Sequence, residues 1–263
     1  MNLGDLSTQL LFTTVPIWVE KSATETTTAT AFLYNFPIPD KPGQFIPLLL
    51  TNHHVVTGGK RGLIELFQKS GDSPDLKNRV RVEIGSDILT KFVDRDLDLA
   101  AVAMGPVLNQ LETAGKGVFF RSVGPELVPS SEVVSDLAAL EEVVFIGYPS
   151  GLRDGQSGVP IIRRGITATP VWNDFEGRRG FLIDAGVFPG SSGSPVFILN
   201  QGAYAAKNGL IVGSRLHFLG MITDSMVRRD ASGMAYLGLG KVLRSDAVQD
   251  FVNSVVRTMQ GAV

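Results

Sequence analysis

Short apolar runs, separated by glycine and proline, recur along most of the chain. The runs are rich in β-branched and aromatic residues, and the 29 glycines and 14 prolines punctuate them as turn residues do. Repeated short strands with turn signals are typical of β-sandwiches and β-barrels. The pattern therefore predicts an all-β fold, with strands over 11–19, 80–84, 99–103, 143–146, 165–169, 181–183 and 216–222.

The C-terminal segment follows a different period. From Ser245 onward, apolar residues recur at steps of three and four, which is typical of one face of an amphipathic helix. We expect Ser245 to be the N-cap of this helix, since a serine hydroxyl can accept a hydrogen bond from the first turn. The predicted apolar face consists of Val248, Phe251, Val252, Val255 and Met259.

Composition and charge narrow the functional classes. With 263 residues the chain can bury a large core, and its 44% hydrophobic and 19% charged residues are ordinary for a globular protein. The net charge of −2 gives no electrostatic reason to expect nucleic acid or an anionic membrane as a partner. The first residues lack the basic start and apolar stretch of a signal peptide, and no apolar run approaches a membrane span. The chain has no cysteine, which permits a reducing compartment, so we expect a cytoplasmic protein.

Residues 188–195, with the sequence Phe-Pro-Gly-Ser-Ser-Gly-Ser-Pro, carry the clearest chemical signal. A serine hydroxyl becomes a useful nucleophile when a base removes its proton and backbone N–H groups receive the charge formed on the substrate. A glycine-rich turn lets the N–H groups of Gly190 and Ser192 point into one small space. When such a turn occurs without other catalytic motifs, it is more often an ordinary loop.

The candidate base is one of only three histidines, which are His53, His54 and His217. Adjacent residues at a strand end point to opposite faces, so only one of His53 and His54 can face the serine. Adjacent histidines are also poor joint metal ligands, and no cysteine lies nearby in the sequence, so we expect no metal. No phosphate-binding glycine loop is present, and we expect no cofactor.

The candidate carboxylate lies in residues 94–102, which contain Asp94, Asp96 and Asp98. The alternation of faces along a strand separates Asp98 from its two leucine neighbours. It does not separate Asp98 from Asp96 or Asp94, so the residues themselves leave three candidates open.

Several of these segments resemble the motifs of HtrA/Deg-type serine proteases, which are chymotrypsin-like enzymes. Residues 50–56 (Leu-Thr-Asn-His-His-Val-Val) resemble their Leu-Thr-Asn-Asn-His-Val-Val signature, and residues 98–100 resemble their Asp-Leu-Ala motif. Residues 184–195 are similar to their Asp-Ala-…-Pro-Gly-Asn-Ser-Gly-Gly-Pro segment, and residues 146–151 to a Gly-x-Pro-x-Gly loop. The order His, Asp, Ser along the chain is also that of chymotrypsin-like enzymes.

The resemblance implies two six-stranded antiparallel β-barrels followed by a C-terminal α-helix. A unit at 1–115 would carry the histidine and the aspartate, and a unit at 116–263 would carry the serine, with the mixed segment 107–140 connecting the barrels. The family motifs select His54 as general base, Asp98 as its orienting carboxylate and Ser192 as nucleophile. The N–H groups of Gly190 and Ser192 would form the oxyanion hole. The implied activity is that of a serine endopeptidase acting on protein or peptide substrates through an acyl-enzyme.

Two positions depart from the patterns of related enzymes. Ser191 stands where secreted trypsin-like enzymes have an aspartate that pairs with a new N-terminus, so activation by such cleavage is not expected. Ser194 replaces the second glycine of the family's Gly-Gly pair, and its side chain is expected to narrow the active turn.

The resemblance also places a substrate pocket. Its expected lining is Gly186, Val187 and Phe188 on one wall and Thr223, Asp224 and Ser225 on the other. Gly186 stands where trypsin-like enzymes that prefer basic substrates have an acidic residue. A small or aliphatic substrate residue before the scissile bond is therefore expected, although Asp224 leaves a basic residue as an alternative.

Arg163 and Arg164 are expected to be an exposed basic pair.

Two alternatives stay open at the level of sequence. The chain could be a silent relative that binds peptides in the same groove, or an effector held inactive until a regulatory protein partner orders its loops. Labelling by a fluorophosphonate distinguishes the first alternative, and unaided cleavage of casein distinguishes the second.

Overall fold

The computed structural model describes residues 1–206, 209–230 and 233–261. The described residues form sixteen strands and six α-helices. The strands of the first half are β1 Thr14–Glu20, β2 Thr26–Pro37, β3 Phe45–Asn52, β4 Arg61–Ser70, β5 Ser73–Gly85, β6 Phe92–Asp94, β7 Leu99–Ala103 and β8 Val118–Phe119. Those of the second half are β9 Glu142–Gly147, β10 Ile161–Thr167, β11 Gly180–Asp184, β12 Pro195–Asn200, β13 Ala203–Ala206, β14 Gly209–Val212, β15 Arg215–Asp230 and β16 Gly233–Arg244.

The helices are short except for the last one. They are α1 Leu6–Leu10, α2 His53–Val56, α3 Ser86–Leu89, α4 Gly105–Thr113, α5 Ser131–Asp136 and α6 Ser245–Met259, together with 3-10 turns at Pro125–Leu127 and Pro149–Gly151. The strand expected at 11–19 begins only at Thr14, because a turn follows the end of the first helix at Leu10. The Asp5 side chain accepts a 2.8 Å hydrogen bond from the Thr8 N–H and so caps this helix.

The second half contains a closed six-stranded barrel in the order β10-β11-β16-β15-β12-β9, as the family resemblance implied for this half. All neighbouring strands in it are antiparallel. Strand β12 begins directly after the glycine-rich serine turn, so the barrel wall fixes one end of that turn.

The first half is an antiparallel sheet in the order β5-β4-β1-β2-β3-β7-β6, with β8 added beside β4. It has eight strands instead of the expected six, and its closure into a barrel stays a prediction. The inner face of β5 shows how the sheet forms, because Val80, Val82 and Ile84 alternate with exposed residues and are buried in the core. The segment 107–140 runs along this sheet: the Asn35 N–H donates to the Val123 carbonyl at 2.9 Å.

A single apolar cluster joins the two halves. It includes Phe32 and Leu50 from the first sheet, Phe197 and Phe218 from the barrel, and Val252 from α6, all with no exposed surface. Contact between the halves therefore excludes water from the region behind the serine turn.

The predicted C-terminal helix is confirmed, with four of its five expected apolar residues buried and Met259 exposed in the last turn. The predicted cap is wrong by one residue, because Arg244 occupies the N-cap position and Ser245 is the first helical residue. The Arg244 side chain instead forms ion pairs with Asp246 and Asp174. None of the helices in the described ranges has both the length and the apolar character needed to cross a bilayer.

Candidate active site

His54 and Asp98 form a close pair at the edge of the first sheet. His54 Nδ1 lies 2.7 Å from Asp98 Oδ2, and the His54 backbone N–H donates to Asp98 Oδ1 at 2.8 Å. Both carboxylate oxygens therefore contact the same residue, which fixes the position of the imidazole and the nitrogen that faces the acid.

The two histidines do not lie on a strand end, as the sequence argument assumed. Strand β3 ends at Asn52, and residues 53–56 form a single helical turn. The His53 side chain forms no hydrogen bond with Asp98 in the described structure, and its Nε2 lies 3.0 Å from the Thr57 hydroxyl. The choice between His53 and His54 is therefore made by the helical turn and not by strand alternation.

Asp98 is held by its backbone as well as by His54. It adopts a left-handed conformation with φ of 57°, which aspartate tolerates better than most residues. Its carbonyl accepts hydrogen bonds from the His53 N–H and from the Asn52 side-chain amide, both at 3.1 Å. The strained residue is thus fixed by the segment that carries the histidine.

Of the three carboxylates that the sequence left open, only Asp98 meets a histidine in the described structure. Asp94 Oδ1 accepts hydrogen bonds from the N–H groups of Asp96 and Leu97, at 3.0 and 2.9 Å, and so shapes the turn before Asp98. Asp96 is exposed beside a cleft and bonds Asp94 through its backbone.

The serine turn is tight and depends on its glycines. The Ser191 N–H donates to the Phe188 carbonyl at 2.9 Å, and Gly190 and Gly193 have φ of 89° and 86°. A Cβ atom on Gly193 would lie 1.9 Å from the Thr30 carbonyl oxygen, so no larger residue fits there. The Ser192 hydroxyl donates to the Thr223 carbonyl at 3.3 Å.

Thr30, on β2, holds the serine turn from the opposite half, and sequence reasoning did not identify it. Its hydroxyl donates to the Gly190 carbonyl at 2.9 Å and accepts from the Tyr148 N–H at 2.9 Å. Its backbone N–H donates to the Ser192 carbonyl at 3.0 Å. The only signal in the sequence is a threonine on a strand that becomes buried, which requires a hydrogen-bond partner somewhere.

Two backbone N–H groups of the turn are available to a bound oxygen. The Pro189 carbonyl accepts a 2.6 Å hydrogen bond from the Ser150 N–H, and no peptide bond among the described residues is cis. In a planar trans peptide the carbonyl and the following N–H point in opposite directions, so the Gly190 N–H points away from the Pro149–Gly151 turn. Within the described ranges, neither the Gly190 nor the Ser192 N–H has an acceptor.

His54 and Ser192 line the same groove, whose volume is about 400 Å³. Four of the six residues expected at the substrate pocket also line it, namely Val187, Phe188, Asp224 and Ser225. Thr223 borders a larger adjoining cleft of about 1080 Å³, which also contains His54 and Asp98. Gly186 is outside the lining of both clefts, and a Cβ atom on it would lie 3.1 Å from the Phe188 ring. The sequence missed the contributions of β2 and β16, which are Thr27, Thr28, Ala29, Met234 and Tyr236.

Ser194 does not narrow the groove, contrary to the expectation from its position after Gly193. It is buried, it is absent from the groove lining, and its hydroxyl has no hydrogen-bond partner in the described structure. A Cβ atom on Gly147 would lie 2.1 Å from Ser194 Oγ and 2.6 Å from Thr30 Oγ1, so the Ser194 side chain takes the space between Gly147 and the first sheet.

The barrel and the paired His54 and Asp98 beside the serine turn define a peptidase of the trypsin-like class. A family model described as a trypsin-like peptidase domain matches residues 29–205, which is more than half of the chain. The chain therefore belongs to the trypsin-like peptidase family, and it is a serine endopeptidase, as its motifs predicted.

Solved structures share the fold at low sequence identity. The active form of the Rv3671c protease from M. tuberculosis has a TM-score of 0.50 and 19% identity, over 94% of this chain and 82% of that one. Deg5 has a TM-score of 0.50 and 17% identity, over 92% of this chain and 88% of that one. Among curated protein sequences, none matches this chain.

Proposed function

We propose that this endopeptidase hydrolyses peptide bonds with a Ser192–His54–Asp98 triad through an acyl-enzyme. The observation that supports this most is the double engagement of Asp98 by His54, on the rim of the groove that holds Ser192. Because Nδ1 of His54 faces Asp98, Nε2 is the nitrogen left to receive a proton from the serine.

The proposed reaction follows from these positions. Ser192 Oγ leaves the Thr223 carbonyl when substrate enters, transfers its proton to His54 Nε2 and attacks the scissile carbonyl carbon. The N–H groups of Gly190 and Ser192 stabilise the oxyanion that forms. His54 then protonates the leaving amine, and a water molecule, deprotonated by His54, hydrolyses the acyl-enzyme and restores the Ser192 hydroxyl. The mechanism uses no metal or cofactor.

The proposed substrate is a protein segment in extended conformation. Of residues 220–225 of β15, the first three are already paired on both sides, with β16 and with residues 193–196. We therefore place the substrate beside Thr223, Asp224 and Ser225, where it would add a strand. The site would then lie between a first unit at 1–115, with a barrel formed by the first sheet, and a second unit at 116–263. Gly186, Val187, Phe188, Thr223, Asp224 and Ser225 remain the proposed specificity residues.

Labelling with a fluorophosphonate tests the proposal. The wild-type protein and a Ser194→Ala variant are expected to be labelled and to cleave casein, whereas Ser192→Ala is expected to do neither. Ser194 is a matched control, since it lies in the same turn but outside the groove. Wild-type cleavage rates in Ser192→Ala would refute the assignment.

One observation favours a second candidate, an effector that a protein partner activates. No hydrogen bond joins Ser192 to His54 within the described ranges, because the hydroxyl bonds Thr223 instead. Triad contacts often tighten only when substrate binds, so activity without a partner remains the first proposal. If pure protein is labelled slowly and cleaves casein only after a partner is added, the second candidate replaces the first.

The cytoplasmic location stays a prediction.

A further inference from the structure

Arg163 lies behind the wall of the groove, although the sequence suggested an exposed residue. It is on β10, opposite Phe145 of β9, and its side chain is half-buried. Its guanidinium carbon lies 5.2 Å from the centre of the Phe188 ring and 5.9 Å from that of Phe145. These aromatic faces hold the cation at a defined place.

The Arg163 guanidinium occupies the space beside Gly186. A Cβ atom on Gly186 would lie 2.5 Å from a terminal nitrogen of Arg163 and 3.1 Å from the Phe188 ring. The guanidinium therefore fills the position that a side chain at residue 186 would occupy. This is where the sequence placed the base of the specificity pocket.

The Arg163 charge has no counterion in the described part of the chain. Its neighbour Arg164 is exposed and forms an ion pair with Glu142, whereas no ion pair or hydrogen bond joins Arg163 to any other described residue. Asp224 lines the groove, and its Oδ1 accepts a hydrogen bond from the Ser225 N–H. A half-buried guanidinium with unused donors favours a carboxylate that can approach it.

We propose that Arg163 makes the pocket selective for an acidic residue, glutamate or aspartate, immediately before the scissile bond. This inference depends on the proposed function of the groove, and it replaces the small or aliphatic preference expected from the sequence. The substrate carboxylate would accept hydrogen bonds from the guanidinium after passing Phe188. A lysine or arginine in the same place would meet a like charge.

The test uses pairs of peptides that differ only in having glutamate or glutamine before the scissile bond. Since these side chains have nearly the same shape, the comparison measures the effect of the charge alone. For the wild-type protein we expect kcat/KM to be at least about 10-fold higher for the glutamate peptide, since a charge-assisted hydrogen bond is gained. The ratio is expected to fall close to 1 in Arg163→Gln. In Arg164→Gln, the matched control on the same strand, the ratio is expected to stay at the wild-type value.

Binding to the Ser192→Ala variant separates this inference from the proposed function. Product-like peptides that end in glutamate are expected to bind at least about 10-fold tighter than those that end in glutamine, and adding Arg163→Gln is expected to remove the difference. If hydrolysis fails but this difference is present, the catalytic proposal fails and the Arg163 assignment holds. Equal binding of both peptides, tighter binding of peptides ending in lysine, or an unchanged difference in Arg163→Gln would overturn the assignment, whatever the activity. Thermal unfolding of each variant confirms that it is folded.

Discussion

The hydroxyl of Thr30 donates a 2.9 Å hydrogen bond to the carbonyl of Gly190, so the first sheet fixes the backbone of the serine turn in the other half. Because the same hydroxyl also accepts the Tyr148 N–H, one buried side chain positions both segments that shape the proposed oxyanion hole. Thr30 is therefore a positioning residue: it holds these two backbone segments in place and takes no part in the proposed reaction itself.

Thr30→Val is expected to lower activity by changing this turn. The substitution keeps the shape of the side chain but leaves the Gly190 carbonyl and the Tyr148 N–H without a partner, at a cost of about 1–3 kcal/mol in the free energy of unfolding. We expect kcat to fall more than KM rises, measured with a casein-derived peptide. Thr30→Ser, which keeps the hydroxyl, is expected to retain most of the activity, and equal kcat values in the valine and serine variants would contradict the role.

Asp98→Asn is expected to reduce kcat/KM by about 10⁴-fold while the fold is retained. The amide has nearly the same shape, but it stabilises the wrong imidazole tautomer and cannot balance the imidazolium charge. Asp94→Asn serves as the control, because the Asp94 side chain bonds backbone N–H groups of its own turn and no other group in the described structure. A loss of activity of the same size in both variants would show that the turn, and not the carboxylate charge, matters.

Glu65 is expected to make stability depend on acidic pH. Burial acts to raise the pKa of Glu65, but hydrogen bonds from Arg153 and Arg81 outweigh burial and lower it. A carboxyl whose pKa is lower in the folded state stabilises the protein above its unfolded pKa, and this contribution is lost as the pH falls through the folded pKa.

Glu65→Gln is therefore expected to destabilise the protein by about 2 kcal/mol at pH 7, with a difference from wild type that shrinks below about pH 4. Urea unfolding at a series of pH values measures this. Glu20→Gln is a control at an exposed pair with Arg61, where solvent screening makes the change smaller. A difference that stays constant down to pH 2 would rule out the charge of Glu65 as the cause.

Ser194→Ala is expected to leave stability unchanged or raise it by about 1 kcal/mol, because it removes a buried hydroxyl that has no partner. Its activity is expected to match that of wild type, since the side chain lies outside the groove. Gly193→Ala, one position earlier, is expected to be inactive because its Cβ would collide with the Thr30 carbonyl. Calorimetry and peptide hydrolysis check both variants, and a destabilised Ser194→Ala would mean that Ser194 does have a partner.

The sequence predicted the parts of this site that depend on local motifs. His54, Asp98 and Ser192 stand in recognisable segments, the last helix follows from hydrophobic periodicity, and the six-stranded barrel was implied by the family resemblance. Thr30 could not be found in this way, since its partner Gly190 lies 160 residues away and only the contact between the halves brings them together. Arg163 could have been separated from Arg164, because neighbours on a strand point to opposite faces.

Helix α6 completes the apolar cluster that joins both halves, and it is formed from residues 245–259, the last element described. Without these residues, the histidine-bearing sheet and the serine-bearing barrel would lose an apolar surface that both of them contact. Proteolytic competence is thus expected to depend on a helix that, in the described structure, contributes no residue to the groove.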